Sequence, residues 1–432
     1  MKPHLSRFSL PSSASCFSLA SILTLVSFTQ TAHAHYIPSR STPITLNTSI
    51  VATWRSQNVV DDNEYWQIPG TNMGGDAWPA QEGIQIDEMS LGLGVRIDDN
   101  SYAIIEAGTH ANGGSSSDSG HNSLSLEHAY IGYTCCNEFG PWVIEVGKMS
   151  AAFSPSLSEH ATDRLASESS LANDVFFGRN FHDEGARVMW HSDSLIAGAE
   201  IWKGNAFPAT ASAGQAWDVF ARYQWRGNNL SLTSGAWLYR SSAEARADHR
   251  YGGSHQHNPV AAPGESVTVF PDTRYTGDTD VYGIHADLAY VTDNKDWTSG
   301  LKAEYMVMQM EGDLHDAIGR AARIDAEQIA SWIQPYVRWQ NHTLGLRAEW
   351  LTTDNEIVGA PANQLSINSG MANANNFEPS RYSAIWLWQW RENIAFRTEV
   401  IVDSSLEQSS LEKDNLRFGI GVIWKQDLWP FK

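Results

Sequence analysis

The feature that most constrains this chain is an alternation of apolar and polar residues in segments of about ten residues, the pattern of transmembrane strands. In the segment 280–292, Ile284 and Leu288 fall on one face of an extended chain, and His285 and Asp287 fall on the other. Successive side chains of a β-strand point to opposite faces. One face of each segment is therefore predicted to meet lipid, and the other to meet water.

This periodicity predicts sixteen strands. They lie near residues 44–55, 84–97, 101–109, 122–133, 142–148, 185–192, 195–203, 215–226, 230–240, 280–292, 297–309, 330–340, 343–352, 380–390, 394–403 and 415–424. Short turns such as 98–100 and 341–342 alternate with long polar connections such as 56–83, 241–279 and 353–379. We therefore predict an all-β fold: a transmembrane antiparallel β-barrel of about 16 strands, with short periplasmic turns and long extracellular loops.

The first 34 residues are predicted to be a signal peptide that is not part of the fold. Lys2 and Arg7 form a positive start, residues 16–28 an apolar core, and the Ala-His-Ala at 32–34 a cleavage motif. Residues 35–432 would then form the barrel. No later apolar run approaches the roughly 18 residues that a membrane-spanning helix needs. An exported chain of this kind is expected in the cell outer membrane.

The charge balance argues against nucleic acid as a partner. The chain has 29 basic and 49 acidic residues, so removal of Lys2 and Arg7 leaves 27 basic residues and changes the formal net charge from −20 to −22. An acidic lumen would suit cations, although net charge alone does not locate the field. Many Trp and Tyr residues lie near strand ends, as in the aromatic girdles that contact outer-membrane lipid; a sugar-stacking surface is the alternative.

Charged residues on the polar faces are predicted to line the pore. They are Glu106, Glu145, Arg187, Glu200, Arg222, Asp287, Lys302, Glu304, Arg338, Arg347, Glu349, Arg397 and Glu399. A basic residue and a Glu two positions later recur in 302–304, 347–349 and 397–399, which places each pair on one face. Two hypotheses remain open and compatible: an internal transverse field that orients solutes, and a cross-strand ion-pair lattice that satisfies a polar interior.

The connection 149–184 is too long for a plain loop and is predicted to fold inward as a constriction. Its charged residues are Glu159, Asp163, Arg164, Glu168, Asp174, Arg179 and Asp183. The alternative is a loop exposed on the surface.

Evidence for a metal site or for catalysis is sparser. His249, His255 and His257 lie in one long polar connection and could capture a divalent metal such as zinc, although their spacing matches no fixed motif. The adjacent Cys135 and Cys136 are interpreted as thiols in a turn, because neighbouring cysteines are too close for a relaxed disulfide. The chain contains no G-x-S-x-G or H-E-x-x-H motif.

A barrel-wall hydrolase would need a Ser paired with a His such as His128, His191 or His285, and no such Ser is evident from spacing. The chain is therefore not expected to be an enzyme or to need a cofactor.

Two short stretches resemble the phosphate-selective porin O/P-like family of Gram-negative outer membranes. They are the strand segment 143–148, which ends in Gly147-Lys148, and 175–185, which closes the long connection and leads into the next strand at Gly185. The resemblance implies a homotrimeric, substrate-selective channel with a narrowed passage. Phosphate selectivity is not carried over, because this chain is strongly acidic.

The sequence thus predicts an outer-membrane porin, a water-filled channel for passive diffusion of small hydrophilic solutes or ions. Two alternatives come from other classes: an uptake channel or capture protein for a divalent metal, and an outer-membrane hydrolase.

Overall fold

The structure is a computed structural model. It describes residues 38–60, 66–110, 124–137, 140–210, 215–248, 250, 273–372, 378–406 and 416–429. The predicted signal peptide, residues 1–34, and the three histidines considered as metal ligands, His249, His255 and His257, lie outside the described residues.

The described residues form sixteen strands and two short helices. The strands are β1 (Ile44–Arg55), β2 (Gly83–Arg96), β3 (Ser101–His110), β4 (Ser125–Asn137), β5 (Gly140–Ser150), β6 (His182–His191), β7 (Leu195–Trp202), β8 (Ala216–Arg226), β9 (Leu230–Arg246), β10 (Thr273–Val291), β11 (Trp297–Asp316), β12 (Ala321–Trp339), β13 (His342–Val358), β14 (Ser380–Arg391), β15 (Ile394–Asp403) and β16 (Leu416–Trp429). The helices are α1 (Leu171–Phe176) and α2 (Ala362–Ser369).

Every strand pairs antiparallel with its sequence neighbours, and β1 pairs with β16 to close the barrel. Val51 lies opposite Ile423, and Leu46 lies opposite Trp429, so β16 continues past the predicted end at residue 424. Closure leaves no strand edge, so the ladder hydrogen bonds are all made within the sheet. The predicted closed barrel of sixteen antiparallel strands is confirmed.

Strands β11 and β12 are much longer than predicted, with 20 and 19 residues, and only a short turn at 317–320 joins them. The alternation continues beyond the predicted ends but with its polarity reversed. Met310 and Ile324 are buried inside the barrel, whereas Glu311 and Asp325 are exposed outside. This part of the wall is predicted to rise above the lipid, where the outer face meets water. The connection expected at 310–329 is therefore mostly strand.

The outer face of the wall is apolar at mid-height. Large side chains that point outward include Ile105, Ile284, Leu346 and Ile420, each at least 50% exposed. Such a band on a closed sheet matches the hydrocarbon layer of a bilayer. Among the described residues, neither helix has the length and apolar character needed to cross a membrane.

Among the β-bulges of the described strands, two bring additional charged residues to the inner face. In β2, the pairing with β1 moves from Glu88 directly to Ile86, so Asp87 is the extra residue and both carboxylates face inward. In β4, the pairing with β3 moves from His128 directly to Leu126, so Glu127 and His128 both face inward. A bulge inserts one extra residue, and therefore re-aims a side chain.

The connection between β5 and β6 runs inside the barrel. We call residues 151–181 the inward segment. Its Phe153, Phe177 and Phe181 are fully buried and pack against Trp237 and Tyr239 of β9, with ring centroids 4.8 to 5.9 Å apart for the nearest pairs. The core of the molecule therefore lies in the lumen.

A second connection also packs inward. Trp66, Ile68 and Met73 of residues 66–80 are buried. The Gly70 carbonyl accepts hydrogen bonds from Gln328 Nε2 of β12 at 3.1 Å and from Asn355 Nδ2 of β13 at 2.8 Å.

Candidate channel interior

Wall carboxylates hold the inward segment by its hydroxyl and backbone N–H groups. The two oxygens of Glu304 on β11 accept hydrogen bonds from the hydroxyls of Ser154 and Ser156, both at 2.7 Å. Glu349 on β13 accepts from the backbone N–H of Leu171 at 2.7 Å. These glutamates therefore fix the position of the segment.

The same contact recurs around the barrel. Glu399 on β15 accepts from the N–H of Ser167 at 2.9 Å, and Glu200 on β7 accepts from the N–H of Ala152 at 2.9 Å. On β2, Glu88 accepts from a backbone N–H of the segment as well. Since β2, β7, β11, β13 and β15 are spread around the barrel, the inward segment is tied to opposite walls and crosses the lumen.

Wall arginines bind the carbonyls of the same segment. Arg347 donates to the Glu168 carbonyl at 3.1 Å, and Arg397 donates to the carbonyls of Ala166 and Arg164 at 3.2 and 3.3 Å. Arg222 donates to another carbonyl of the segment at 2.9 Å. Within the predicted repeats, Arg347 also pairs with its own Glu349 at 2.8 Å. These arginines therefore tie the inward segment to the wall through its carbonyl groups.

Glu168 is the charged residue of the inward segment with the most cationic contacts. It lies 2.9 Å from Arg381 on β14 and 3.2 Å from Arg417 on β16. Burial alone would raise the pKa of Glu168, but the neighbouring guanidinium groups lower it to about 2. The carboxylate therefore stays ionised in the interior.

Other charges of the segment pair as follows. Asp174 accepts from Arg179 at 2.8 Å, Glu159 pairs with Lys302 at 3.2 Å, and Asp163 contacts Lys425. Burial lowers the pKa of Arg164. At the start of β6, Asp183 accepts from the backbone N–H groups of residues 204 and 205 at 2.7 and 2.9 Å.

The remaining predicted pore-lining residues also lie on the inner face. Arg187 bridges Glu145 and Glu200 at 2.7 and 3.0 Å. Asp287 lies opposite Lys302 in the register of β10 and β11. Arg338 is exposed near the short-turn end of β12 and donates to Thr343 at 3.3 Å.

Sequence reasoning missed several charged residues of the interior, among them Arg55, Asp87, Glu88, Glu127 and Arg381. Arg55 and Asp87 form a buried pair at 2.8 Å. Asp87 and Glu88 could not both be predicted inside, because alternation assigns neighbouring residues to opposite faces and the β2 bulge breaks that rule. Arg381 could have been found, because the alternation in β14 places it inside.

Three histidines and three glutamates meet where the inward segment touches β2, β3 and β4. We call His128, His160, His182, Glu88, Glu106 and Glu127 the imidazole–carboxylate cluster. The ring of His128 lies 5.0 Å from that of His182 and 6.2 Å from that of His160.

Ser150 Oγ and His128 Nε2 share a hydrogen bond of 2.6 Å, and His128 Nδ1 lies 3.3 Å from Glu106. This is the order of groups in a serine nucleophile with its base and acid. However, Ser150 is only 8% exposed, which leaves its hydroxyl little access to a substrate.

In the part of the chain that the structure describes, this cluster included, no group of three or more His, Cys, Asp or Glu side chains could hold a metal ion. Cys135 is a free thiol at the end of β4 and not in a turn as predicted.

A small cavity of about 30 Å³ lies between the inward segment and β11–β13. Its lining includes Glu159, Arg164, Lys302, Trp332 and Arg347. A space of this volume holds about one water molecule. The interior beside the segment is therefore narrow and polar.

A closed antiparallel barrel with an apolar outer band and a charged interior is built to span the outer membrane. This chain is an outer-membrane β-barrel. No family model and no curated protein matches the sequence.

Solved structures resemble it as folds. DcaP, an outer-membrane channel of Acinetobacter baumannii, is 12% identical, with 90% of this chain and 99% of that chain covered and a TM-score of 0.49. OprB of Pseudomonas putida is 10% identical over 89% and 94%, with a TM-score of 0.48. The trimer form of OmpT, an outer-membrane protein of Vibrio cholerae, is 12% identical over 89% and 99%, with a TM-score of 0.44.

Proposed function

We propose that this protein is a porin that passes small hydrophilic solutes or ions passively across the outer membrane. The observation that supports this best is the inward segment, which is hydrogen-bonded to strands around the whole wall. A sixteen-stranded barrel is wide enough for an aqueous channel. A segment held across it by charged groups would limit passage to small solutes and order them by charge.

Single-channel recording in a planar bilayer tests this proposal. We expect discrete conductance steps from the folded protein, and none from the same preparation after heat unfolding. A folded barrel that inserts into the bilayer and gives no steps would contradict a porin function. With a salt gradient across the bilayer, the sign of the reversal potential then reports whether cations or anions pass more readily.

We also propose cleavage after residue 34, contact with outer-membrane lipid and assembly as a homotrimer. The resemblance of 143–148 and 175–185 to the phosphate-selective porin O/P-like family supports the trimer. Mass spectrometry of the protein extracted in mild detergent measures both the mature amino terminus and the number of copies. A monomeric mass under these conditions would contradict the assembly.

A further inference from the structure

The imidazole–carboxylate cluster contacts the inward segment within its sequence and at both of its ends. His160 belongs to the segment itself, His182 is the first residue after it, and Ser150, which is bonded to His128, is the last residue before it. The two bulges in β2 and β4 supply Glu88, Glu127 and His128 from the wall. Each bulge inserts one extra residue, and the two bulges lie close together in the wall. Bulges often re-aim a side chain beside a functional site, so their position suggests that these side chains do more than complete the sheet.

Each histidine of the cluster faces a carboxylate. His160 Nδ1 donates to Glu88 at 2.9 Å, and the other oxygen of Glu88 accepts from the N–H of Ala161 at 2.8 Å. His128 Nδ1 lies 3.3 Å from Glu106, and His182 Nδ1 lies 3.7 Å from Glu127. Every side chain of these pairs is at most 13% exposed. Water screens these pairs poorly, so the attraction between a charged imidazole and a carboxylate is strong there. It is lost when either partner becomes neutral.

His160 is the member of the cluster that titrates within the inward segment. The groups that face it are Glu88 from β2, Glu106 from β3, His128 from β4 and Asp163 from its own segment, which in turn contacts Lys425 of β16. Burial alone would lower the pKa of His160, but Glu88, Glu106 and Asp163 raise it from 6.5 to about 9. The charged imidazole therefore stabilises the bound segment fully below pH 6.5, and this contribution is lost as the pH rises through about 9.

We propose that the imidazole–carboxylate cluster is a proton-sensitive latch that holds the inward segment across the lumen while His160 is charged and Glu88 is ionised. Loss of the imidazole proton removes the attraction at this wall and loosens the stretch around His160, between the ties at Ser156 and Ala166. Protonation of Glu88 in acid removes the same attraction from the other side. The passage is therefore narrowest in the intervening pH range and widens beyond it.

Conductance against pH is the first test, and it rests on the proposed channel function. We expect the single-channel conductance of the unaltered protein to increase with a midpoint near pH 9. Glu88→Gln removes the nearest carboxylate, so the midpoint should shift toward 6.5 or below. His160→Gln should remove the transition. Lys425→Gln, which removes the β16 charge that contacts Asp163 of the same segment, is the matched control and should keep the midpoint near 9. A transition that persists in His160→Gln, or is lost only in Lys425→Gln, would overturn the latch.

Amide hydrogen exchange at Ala161 is a second test that needs no conductance, because the N–H of Ala161 donates to Glu88. At a single pH of 8, we expect this amide to be protected in the unaltered protein and in Lys425→Gln, and to exchange faster in Glu88→Gln and His160→Gln. Equal protection in all four proteins would refute the latch. If no protein conducts at any pH, the channel function fails, and the exchange pattern alone decides whether the latch exists.

Discussion

At the scale of single residues, Glu168 is a buried carboxylate that its cationic neighbours keep ionised. Arg381 and Arg417 both lie within 3.2 Å of it. A group whose pKa falls on folding stabilises the native state above its unfolded pKa. That contribution is lost as the pH falls through the folded pKa.

We predict that Glu168→Gln lowers the free energy of unfolding by about 1.5–3 kcal/mol at neutral pH, the usual worth of a hydrogen bond to a charged group. Each of the two buried arginines loses one carboxylate partner but keeps another, since Arg381 also pairs with Glu349 and Arg417 with Asp403. The unaltered protein should lose stability between about pH 4.5 and 2, and the variant should lose less over this range. Urea unfolding in detergent at several pH values measures both effects. If the free energy of unfolding of the variant falls with acid as steeply as that of the unaltered protein, groups other than Glu168 cause the loss of stability.

A glycine in the motif behind the family resemblance gives a second prediction. Gly147 has φ +141°, and a Cβ there would collide with the Ala129 carbonyl and with Tyr130 Cα. We expect Gly147→Ala to cost more than the roughly 1–3 kcal/mol of an unfavourable backbone conformation alone. Gly319→Ala is the control, since Gly319 also has a positive φ but a Cβ there would meet no atom within 4 Å. Unfolding midpoints in urea compare the two, and equal costs would exclude crowding as the cause.

At the scale of elements, the inward segment is held by contacts from several strands, among them β2, β7, β11, β13 and β15. Because the ties are spread over the wall, no single strand positions the segment. Loss of two ties on the same side of the barrel should therefore loosen one side of the segment and leave the barrel closed.

We predict that Glu349→Gln combined with Glu399→Gln raises the single-channel conductance, because an amide oxygen accepts the N–H groups of Leu171 and Ser167 more weakly than a carboxylate does. Glu356→Gln is the control, since Glu356 is exposed on the outer face of β13. The double variant should still unfold in one transition. A conductance equal to that of the control would show that these ties do not limit the passage.

Strands could be predicted where each face keeps the same surroundings, lipid or water, along its whole length. All sixteen strands follow from alternation, since lipid outside and water inside impose opposite demands on neighbouring residues. The upper parts of β11 and β12 could not be recognised, because there the apolar face turns to the packed lumen and the polar face to water. The bulges were also hidden, because one inserted residue changes the phase of the pattern.

At the scale of the whole molecule, the apolar band on the outer face sets the depth at which the barrel lies in the bilayer. Leu346 is 60% exposed on the outer face of β13, within the apolar band. Glu356 points outward from the same strand, ten residues nearer the long-loop end.

We predict that Leu346→Arg lowers the free energy of unfolding in lipid vesicles by about 2–4 kcal/mol, the cost of a cation on the lipid face at mid-membrane. Glu356→Arg should cost about 0–1 kcal/mol, since its side chain meets water near the interface. Equal costs for the two variants would contradict the position of the band. Denaturant titration of the barrel in vesicles makes the comparison.

The interior as a whole was only partly open to prediction. Alternation places Glu304, Glu349 and Arg347 inside, but it says nothing about what they bind. Their partners lie in the connection 149–184, which has no period, and their contacts join residues more than 140 positions apart, as from Ser154 to Glu304. Such pairings depend on closure of the sheet, which no local pattern encodes.

The inward segment also has a mechanical consequence. A closed sheet by itself resists stretching along its hydrogen bonds but flattens easily into an oval. The segment joins β7 on one side to β13 and β15 on the other, and so acts as a spoke that keeps the cross-section round. The inward segment therefore carries part of the lateral pressure that the bilayer exerts on the wall. A barrel whose inward segment is released should be easier to deform.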